Sequence, residues 1–401
     1  MADLKVRFCG IDFKNPILAA SAEPTLSARN MREVIQTGAG GLVAKTVTDS
    51  EALRRLTKRS KFRYLDEAHQ ICRGKVPRLF TFYGRTGLAE EPPEEWMKEL
   101  KEAQALALRH DCVLIGSVAG TTTESWVSLS KMIEDTGIKL IELNFGCPHP
   151  SEMKGTPTGM LVGQNREVAS EITHRVTQSV QIPVIIKLTP QVADVVEMAR
   201  AVQTAGASAV TIINRFVGFC LDIETGKPYI DGWAGVGGPW VKPLTLRWVS
   251  KIYTTLDLPI TGTNGAYDWK DAVEFLMSGA TLVQFCSVVM LKGYAYLRRL
   301  VRDLDDFLTR KGYGSVQEII GIAARAAMTY EEMEALPREY ARIDQERCTQ
   351  CRRCLRSCFY HAIEVKDHTV RVNENCRGCG LCTCVCPVPG AIQLHTATLL
   401  T

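Results

Sequence analysis

Up to about residue 300 the chain alternates between two kinds of stretch. Short apolar runs rich in Val, Ile and Leu occupy 16–22, 41–47, 112–119, 140–145, 183–188, 209–214, 258–262 and 282–287. Between them lie longer stretches with helical periodicity, such as 126–136, 167–180, 192–205 and 269–278. A strand buried on both faces reads as a near-continuous apolar run, which is what a parallel sheet covered by helices requires. The phrases T-G-A-G-G, T-G-I-K, T-A-G-A-S-A and S-G-A-T recur where a helix gives way to a strand, and Gly there fits a left-handed helix C-cap. Eight β–α units predict a (β/α)8 TIM barrel. A doubly wound sheet is the alternative, but no G-x-G-x-x-G follows a predicted strand, which argues against a nicotinamide-binding Rossmann unit.

The pattern then changes. Residues 295–345 are charged and helical, with Pro337 marking a break. Beyond them the chain reads C-T-Q-C-R-R-C-L-R-S-C and, after a spacer, C-R-G-C-G-L-C-T-C-V-C-P. The expected organisation is therefore a barrel over 1–300, a helical connector over 301–342 and a ferredoxin-like unit over 343–401. The spacing C-x2-C-x2-C-x3-C occurs twice, which is the bacterial-ferredoxin run for two [4Fe–4S] clusters. In that run the trailing cysteine ligates the other cluster. Cys348, Cys351, Cys354 and Cys386 are assigned to one cluster, and Cys376, Cys379, Cys382 and Cys358 to the other. Cys384 is left over. Zinc would take two C-x2-C pairs, and disulfides do not favour such regular dense spacing. Pro387 follows the second trailing cysteine, whereas Phe359 follows the first.

Composition narrows the class without changing it. At 401 residues, 46% hydrophobic and 23% charged, the chain is long enough for a large core and ordinary for a globular protein. A net charge of +4 is too slight to imply nucleic acid. No apolar run reaches the length of a membrane span, and the N-terminus has no apolar signal-like run. Oxygen-sensitive clusters, together with isolated Cys9, Cys72, Cys112 and Cys220, fit a reducing cytoplasm.

In a barrel the chemistry lies at the C-terminal strand ends. Those ends read A-A-S-A (19–22), A-K-T (44–46), E-L-N-F-G-C-P-H-P (142–150), I-K-L-T-P (186–190), I-I-N-R (212–215), T-G-T-N-G (261–265) and F-C-S (285–287), with A-G-V-G-G-P (234–239) after the sixth. Lys45 and Lys187 close apolar strands, and Lys is rarely buried unpaired. An anionic or electron-rich cofactor accounts for both, with Lys187 facing a flavin ring and Lys45 near its ring or ribityl oxygens. Gly238, Gly265 and Ser287 suit a phosphate held by backbone N–H groups, since the last two loops are the usual phosphate site of a barrel.

The motifs N-P-I-L-A-A-S-A, A-K-T, E-L-N-F-G-C-P-H, K-L-T-P, G-V-G-G-P and Q-F-C-S, followed by twin cluster motifs, resemble the dihydroorotate dehydrogenase superfamily. Within it, the chain is similar to the barrel and ferredoxin portion of dihydropyrimidine dehydrogenases, in the form of the separate bacterial subunit. The resemblance implies FMN in the barrel, contacted at Ala20, Ser21, Lys45, Thr46, Asn144, Lys187, Asn214, Gly238, Gly265, Cys286 and Ser287. It also implies that Cys147 is the general acid/base. The residues agree: a thiol beside a Gly/Pro-rich loop (148–163) able to close over substrate can protonate one carbon of a C=C bond while a flavin exchanges hydride with the other. His149 is expected to bind substrate or hold the loop.

The family pattern breaks in two places. Asn144 and Asn214 are kept for substrate amides, but Arg215 stands where the family has threonine. The family's asparagine loop, taken to follow the third strand, is replaced by Y-G-R-T-G with Arg85 as its occupant. An arginine brings a fixed charge and a fork of donors. Either Arg215 points to solvent or the substrate carries an anionic group.

The expected function is an FMN and iron–sulfur oxidoreductase interconverting a uracil- or thymine-like C=C bond and its dihydro form. The alternatives are the same chemistry on an anionic non-pyrimidine substrate, or an electron-relay subunit whose barrel performs no turnover. With no nicotinamide site visible, the resemblance implies an FAD- and NAD(P)H-binding partner subunit, in a homo- or hetero-oligomer. Arg352, Arg353, Arg356 and Arg377 flank the clusters as solvated charges, as a docking face for an acidic partner, or as groups that raise cluster potential.

Overall fold

A computed structural model describes residues 1–152 and 158–396. Eight short parallel strands close into a barrel: Ile17–Ala19, Gly41–Val43, Val113–Val118, Ile141–Asn144, Val184–Lys187, Ala209–Ile212, Ile260–Gly262 and Leu282–Phe285. Each of the eight expected apolar runs supplies one strand. The strands pair in chain order, and Val283 of the last aligns with Ile17 of the first. Their side chains are buried except at Val113, which is half-buried, as a sheet covered by helices demands.

The helices start on side-chain caps that the sequence provides. Asn165 accepts from the Val168 N–H, Asp194 from Val196 and Glu197, and Asp268 from Lys270 and Asp271. Several end by handing the chain to a left-handed glycine, such as Gly206 at φ +104° and Gly279 at φ +109°. An N-terminal hairpin (Val6–Phe8 with Ile11–Phe13) buries Phe8 and Phe13 edge to face in the barrel core.

Two features lay outside the strand pattern. A four-stranded antiparallel sheet, in the order Phe216–Gly218, Ala234–Gly237, Thr81–Arg85, Lys61–Leu65, is built from two of the strand-to-helix connections. Its own small core is Leu65, Tyr83, Ile230, Ala234 and Val236. The 301–342 stretch is also divided. The helix Ala295–Lys311 runs across residue 300 and buries Leu297, Leu300, Leu304 and Leu308. The first compact unit ends at Ala326 and the second begins at Ala327.

The second unit pairs Glu339–Ile343 with Ile392–Thr396, antiparallel, and forms a hairpin from Ile363–Lys366 and Thr369–Val372. Two five-residue helices, Arg353–Ser357 and Leu381–Val385, complete it. Among its described residues the buried apolar cluster is Ala341, Cys354, Ile363, Val370, Cys382 and Ile392.

Candidate active site and cluster sites

A cavity opens at the C-terminal ends of the barrel strands, where a barrel places its chemistry. Every cofactor position expected from sequence lines it: Ala20, Ser21, Lys45, Thr46, Asn144, Lys187, Asn214, Gly238, Gly265, Cys286 and Ser287. So do Cys147, His149 and Arg215. Arg85 does not. Its segment also precedes the third barrel strand rather than following it, lying in the antiparallel sheet with one guanidinium nitrogen 3.8 Å from Asp231.

The floor is polar because side chains from across the barrel meet there. Glu142, wholly buried on the fourth strand, accepts from Thr211 Oγ1 of the sixth at 2.8 Å and from Gln284 Nε2 of the eighth at 3.0 Å. The fourth and eighth strands are not neighbours, so these side chains must point into the barrel. Lys187 Nζ lies 3.4 Å from Gln284 Oε1 and 3.4 Å from Glu142 Oε1. The second contact is an ion pair without hydrogen-bond geometry, so Oε1 has a charge partner only.

This corrects the reason given for the two lysines. Each already has a protein carboxylate: Lys187 has Glu142, and Lys45 donates to Glu23 at 2.9 Å. Burial tends to raise the Glu23 pKa, but the Lys45 charge and hydrogen bonds from Thr86 and Lys45 outweigh it, and the carboxyl lies below its ordinary value. Glu23 lies in none of the quoted motifs, and Glu142 opens E-L-N-F-G-C-P-H without a role of its own there; only their placement opposite a buried lysine singles them out.

Above the floor a relay of side chains fixes the amides. Ser117 and Ser21 both bond Thr46 Oγ1, at 2.8 and 3.1 Å. Asn144 Nδ2 donates to the same oxygen at 3.1 Å, and Asn214 Nδ2 donates to Asn144 Oδ1 at 3.1 Å. Asn214 Oδ1 accepts from the Arg215 N–H at 2.8 Å. Each amide thus keeps one N–H for a ligand.

Cys147 is buried beside His149. Burial raises the thiol pKa, against the His149 backbone N–H and the charges of Arg215, Lys45 and Lys187, which lower it. His149 is driven well below its ordinary value by burial and then by Arg215, Lys45 and Arg85, so its ring is neutral. Arg215 does not point to solvent. Nη1 donates to Gly84 O at 3.0 Å, and Nη2 lies 3.3 Å from His149 Nε2. Arginine can only donate, so Nε2 accepts and the ring proton sits on Nδ1. Of the loop expected to close over substrate, 153–157 lie outside the described residues.

The site fits a flavin mononucleotide by its donors: two lysines, two hydroxyls and two oriented amides around one cavity. The wall at Gly238 and Gly265, expected from the sequence to face the phosphate, is built by close backbone packing. Gly238 has φ +124°, and a Cβ there would lie 2.4 Å from Phe80 O; at Gly265, with φ +114°, it would lie 2.6 Å from Lys242 Cα.

In the second unit the eight assigned cysteines separate into the two expected quartets. Cys348, Cys351, Cys354 and Cys386 line one cavity. Cys358, Cys376, Cys379 and Cys382 line another. All are free thiols, and Cys384 lies on neither wall. Ringing a cavity is what a multi-iron cubane needs, where a single ion would need convergence on one point. Backbone N–H groups of Ala341 and Ala362 already point at Cys376 and Cys358 sulfurs, at 3.3 and 3.4 Å.

Comparison with known proteins agrees with this division. A dihydroorotate dehydrogenase family model matches residues 3–308, and a 4Fe-4S dicluster domain model matches 341–394. The NAD-dependent dihydropyrimidine dehydrogenase subunit PreA of Escherichia coli K12 is 31% identical, over 98% of this chain and 95% of that protein. The dihydroorotate dehydrogenase B (NAD(+)) catalytic subunit of Pyrococcus abyssi is 32% identical, over 80% of this chain and 99% of that one. Its counterpart in Methanothermobacter thermautotrophicus is 31% identical, over 80% and 98%.

Proposed function

The chain belongs to the dihydroorotate dehydrogenase family, and from that premise we propose that its barrel interconverts a pyrimidine-like C=C bond conjugated to a carbonyl and the corresponding dihydro compound. The protein is an FMN and iron–sulfur oxidoreductase acting on CH–CH bonds. FMN, when bound, supplies hydride exchange at the ring. Ala20, Ser21, Lys45, Thr46, Lys187, Gly238, Gly265, Cys286 and Ser287 would hold it, with Asn144 and Asn214 shared between cofactor and substrate.

The observation that carries this reading is the placement of Cys147 in the same cavity as the two oriented amides. The Asn144 and Asn214 N–H groups left over from the relay hold the substrate's carbonyls. The raised pKa of Cys147 keeps its proton on sulfur near neutrality, ready for the substrate carbon in the reducing direction. In the oxidising direction the same sulfur, having first lost its proton to become the thiolate, takes that proton away. His149 is neutral and accepts from Arg215, so it positions the guanidinium and does not itself exchange a proton.

The second unit passes electrons singly between the barrel's cofactor and an outside donor or acceptor. We assign that role to an FAD- and NAD(P)H-binding partner subunit. The reading is tested by reducing the purified protein anaerobically and adding uracil: flavin absorbance returns if the reading is right, and stays bleached with uracil, thymine and orotate alike if it is wrong.

A further inference from the structure

Among the described residues, one cation lining the cavity, Arg215, has no carboxylate partner. Lys45 has Glu23 and Lys187 has Glu142, while Arg85, which does not line the cavity, shares Asp231 with Lys61. Among the described residues no carboxylate forms an ion pair with Arg215; its polar contacts are Gly84 O and His149 Nε2. The guanidinium is nonetheless seated. Its Cζ lies 5.7 Å from the centre of the Phe82 ring, and a Cβ on Gly235 would come within 2.6 Å of that same Cζ. Glycine at 235 is what makes room for it. Arginine carries five N–H donors, and the two contacts above leave three. His149, neutral and accepting, supplies no counter-charge. A half-buried guanidinium held beside a cavity without an anion is a site that favours one.

We propose that Arg215 is a specificity-determining residue and binds a carboxylate carried by the substrate. The inference rests on the reading of this cavity as a site of C=C reduction. A planar fork of N–H groups meets a carboxylate through two parallel hydrogen bonds, which a neutral carbonyl cannot return. The free amide N–H groups of Asn144 and Asn214 serve the uncharged part of the molecule, and the guanidinium serves the charged part.

The test uses a matched pair of ligands, orotate and its uncharged carboxamide, titrated into the oxidised holoprotein and read by perturbation of the flavin spectrum. Wild type is expected to bind orotate at least about tenfold more tightly than the carboxamide. Arg215→Met is expected to weaken orotate by about 10- to 100-fold, the range for a charge-assisted hydrogen bond, and the carboxamide by less than about threefold. Arg215→Lys should recover part of the orotate affinity, and FMN content should stay at the wild-type level. Equal affinity for the two ligands, or an equal loss of both in Arg215→Met, overturns the proposal while leaving the reduction reading intact. Loss of FMN from Arg215→Met overturns it too, by showing that the guanidinium serves the cofactor. If binding is unchanged and only turnover of uracil falls, Arg215 acts on charge developed in the reaction and the proposal is wrong. If neither ligand perturbs the flavin nor reoxidises the reduced protein, both the proposal and the reading beneath it fail.

Discussion

In the barrel, Lys45, Cys147, Lys187, Arg215 and Cys286 reach one cavity from the ends of five different strands. In the second unit, two quartets of cysteines reach two cavities from a single short stretch of chain. The barrel site is finished before any cofactor arrives. Both of its lysines are paired, its amides are bonded into a relay, and a large apolar core holds the strands in register. Among its described residues the second unit has a six-residue buried cluster, two of whose members, Cys354 and Cys382, belong to the cysteine quartets. The first uses its fold to position a cofactor; so small a core predicts that the second depends on its clusters for its fold.

The largest effect should come from removing iron. Anaerobic chelation is expected to abolish hydrogen-exchange protection over 341–394 while the eight barrel strands keep theirs. Protection that survives in both regions would erase the contrast. A smaller effect is expected inside the barrel from Glu142→Gln. Gln retains the shape and can still bond Thr211 and Gln284, but it leaves Lys187 buried without its counter-charge. The expected cost is about 3 kcal/mol. All six tryptophans precede residue 327, so denaturant unfolding followed by tryptophan fluorescence reads the barrel unit alone. A loss under about 1 kcal/mol, no more than an ordinary hydrogen bond, would mean the pair is not what fixes the floor.

The smallest predicted effect is on pH dependence. In the reducing direction Cys147 must carry its proton, and its pKa is raised, chiefly by burial. The rate should therefore stay flat through neutrality and fall only on the alkaline side of the ordinary thiol value of about 8.5. His149, lowered by burial and by the Arg215, Lys45 and Arg85 charges, stays uncharged. No inflection is expected near the ordinary histidine value of about 6.5. An inflection there would show that His149 titrates, and the charge balance of the cavity would need redrawing.

The same contrast explains what could be read in the chain. Cluster ligands are set by spacing over a few residues, so the two cysteine quartets were legible directly from the motif. The barrel strands were legible because burial on both faces leaves an unbroken apolar run. Glu23 and Glu142 were not, because their meaning lies in what faces them across the barrel, and neither spacing nor periodicity records that. The antiparallel sheet was hidden for a related reason. Its strands, Thr81–Arg85 and Ala234–Gly237 among them, are short, Gly-containing segments within connections, and read locally as loop. Arg215 stood out in the sequence as a departure from the family pattern, but its direction depended on Gly235 and Gly84 of that unseen sheet.

The central claim is that Cys147 is the proton-transferring group of the barrel. It is tested most directly by reducing wild type and Cys147→Ala anaerobically, mixing each with uracil or orotate in a stopped-flow instrument, and following flavin reoxidation. The account predicts that Cys147→Ala retains FMN and both clusters but reoxidises at least about 100-fold more slowly, the usual scale for losing a general acid. Reoxidation of Cys147→Ala at the wild-type rate would contradict it.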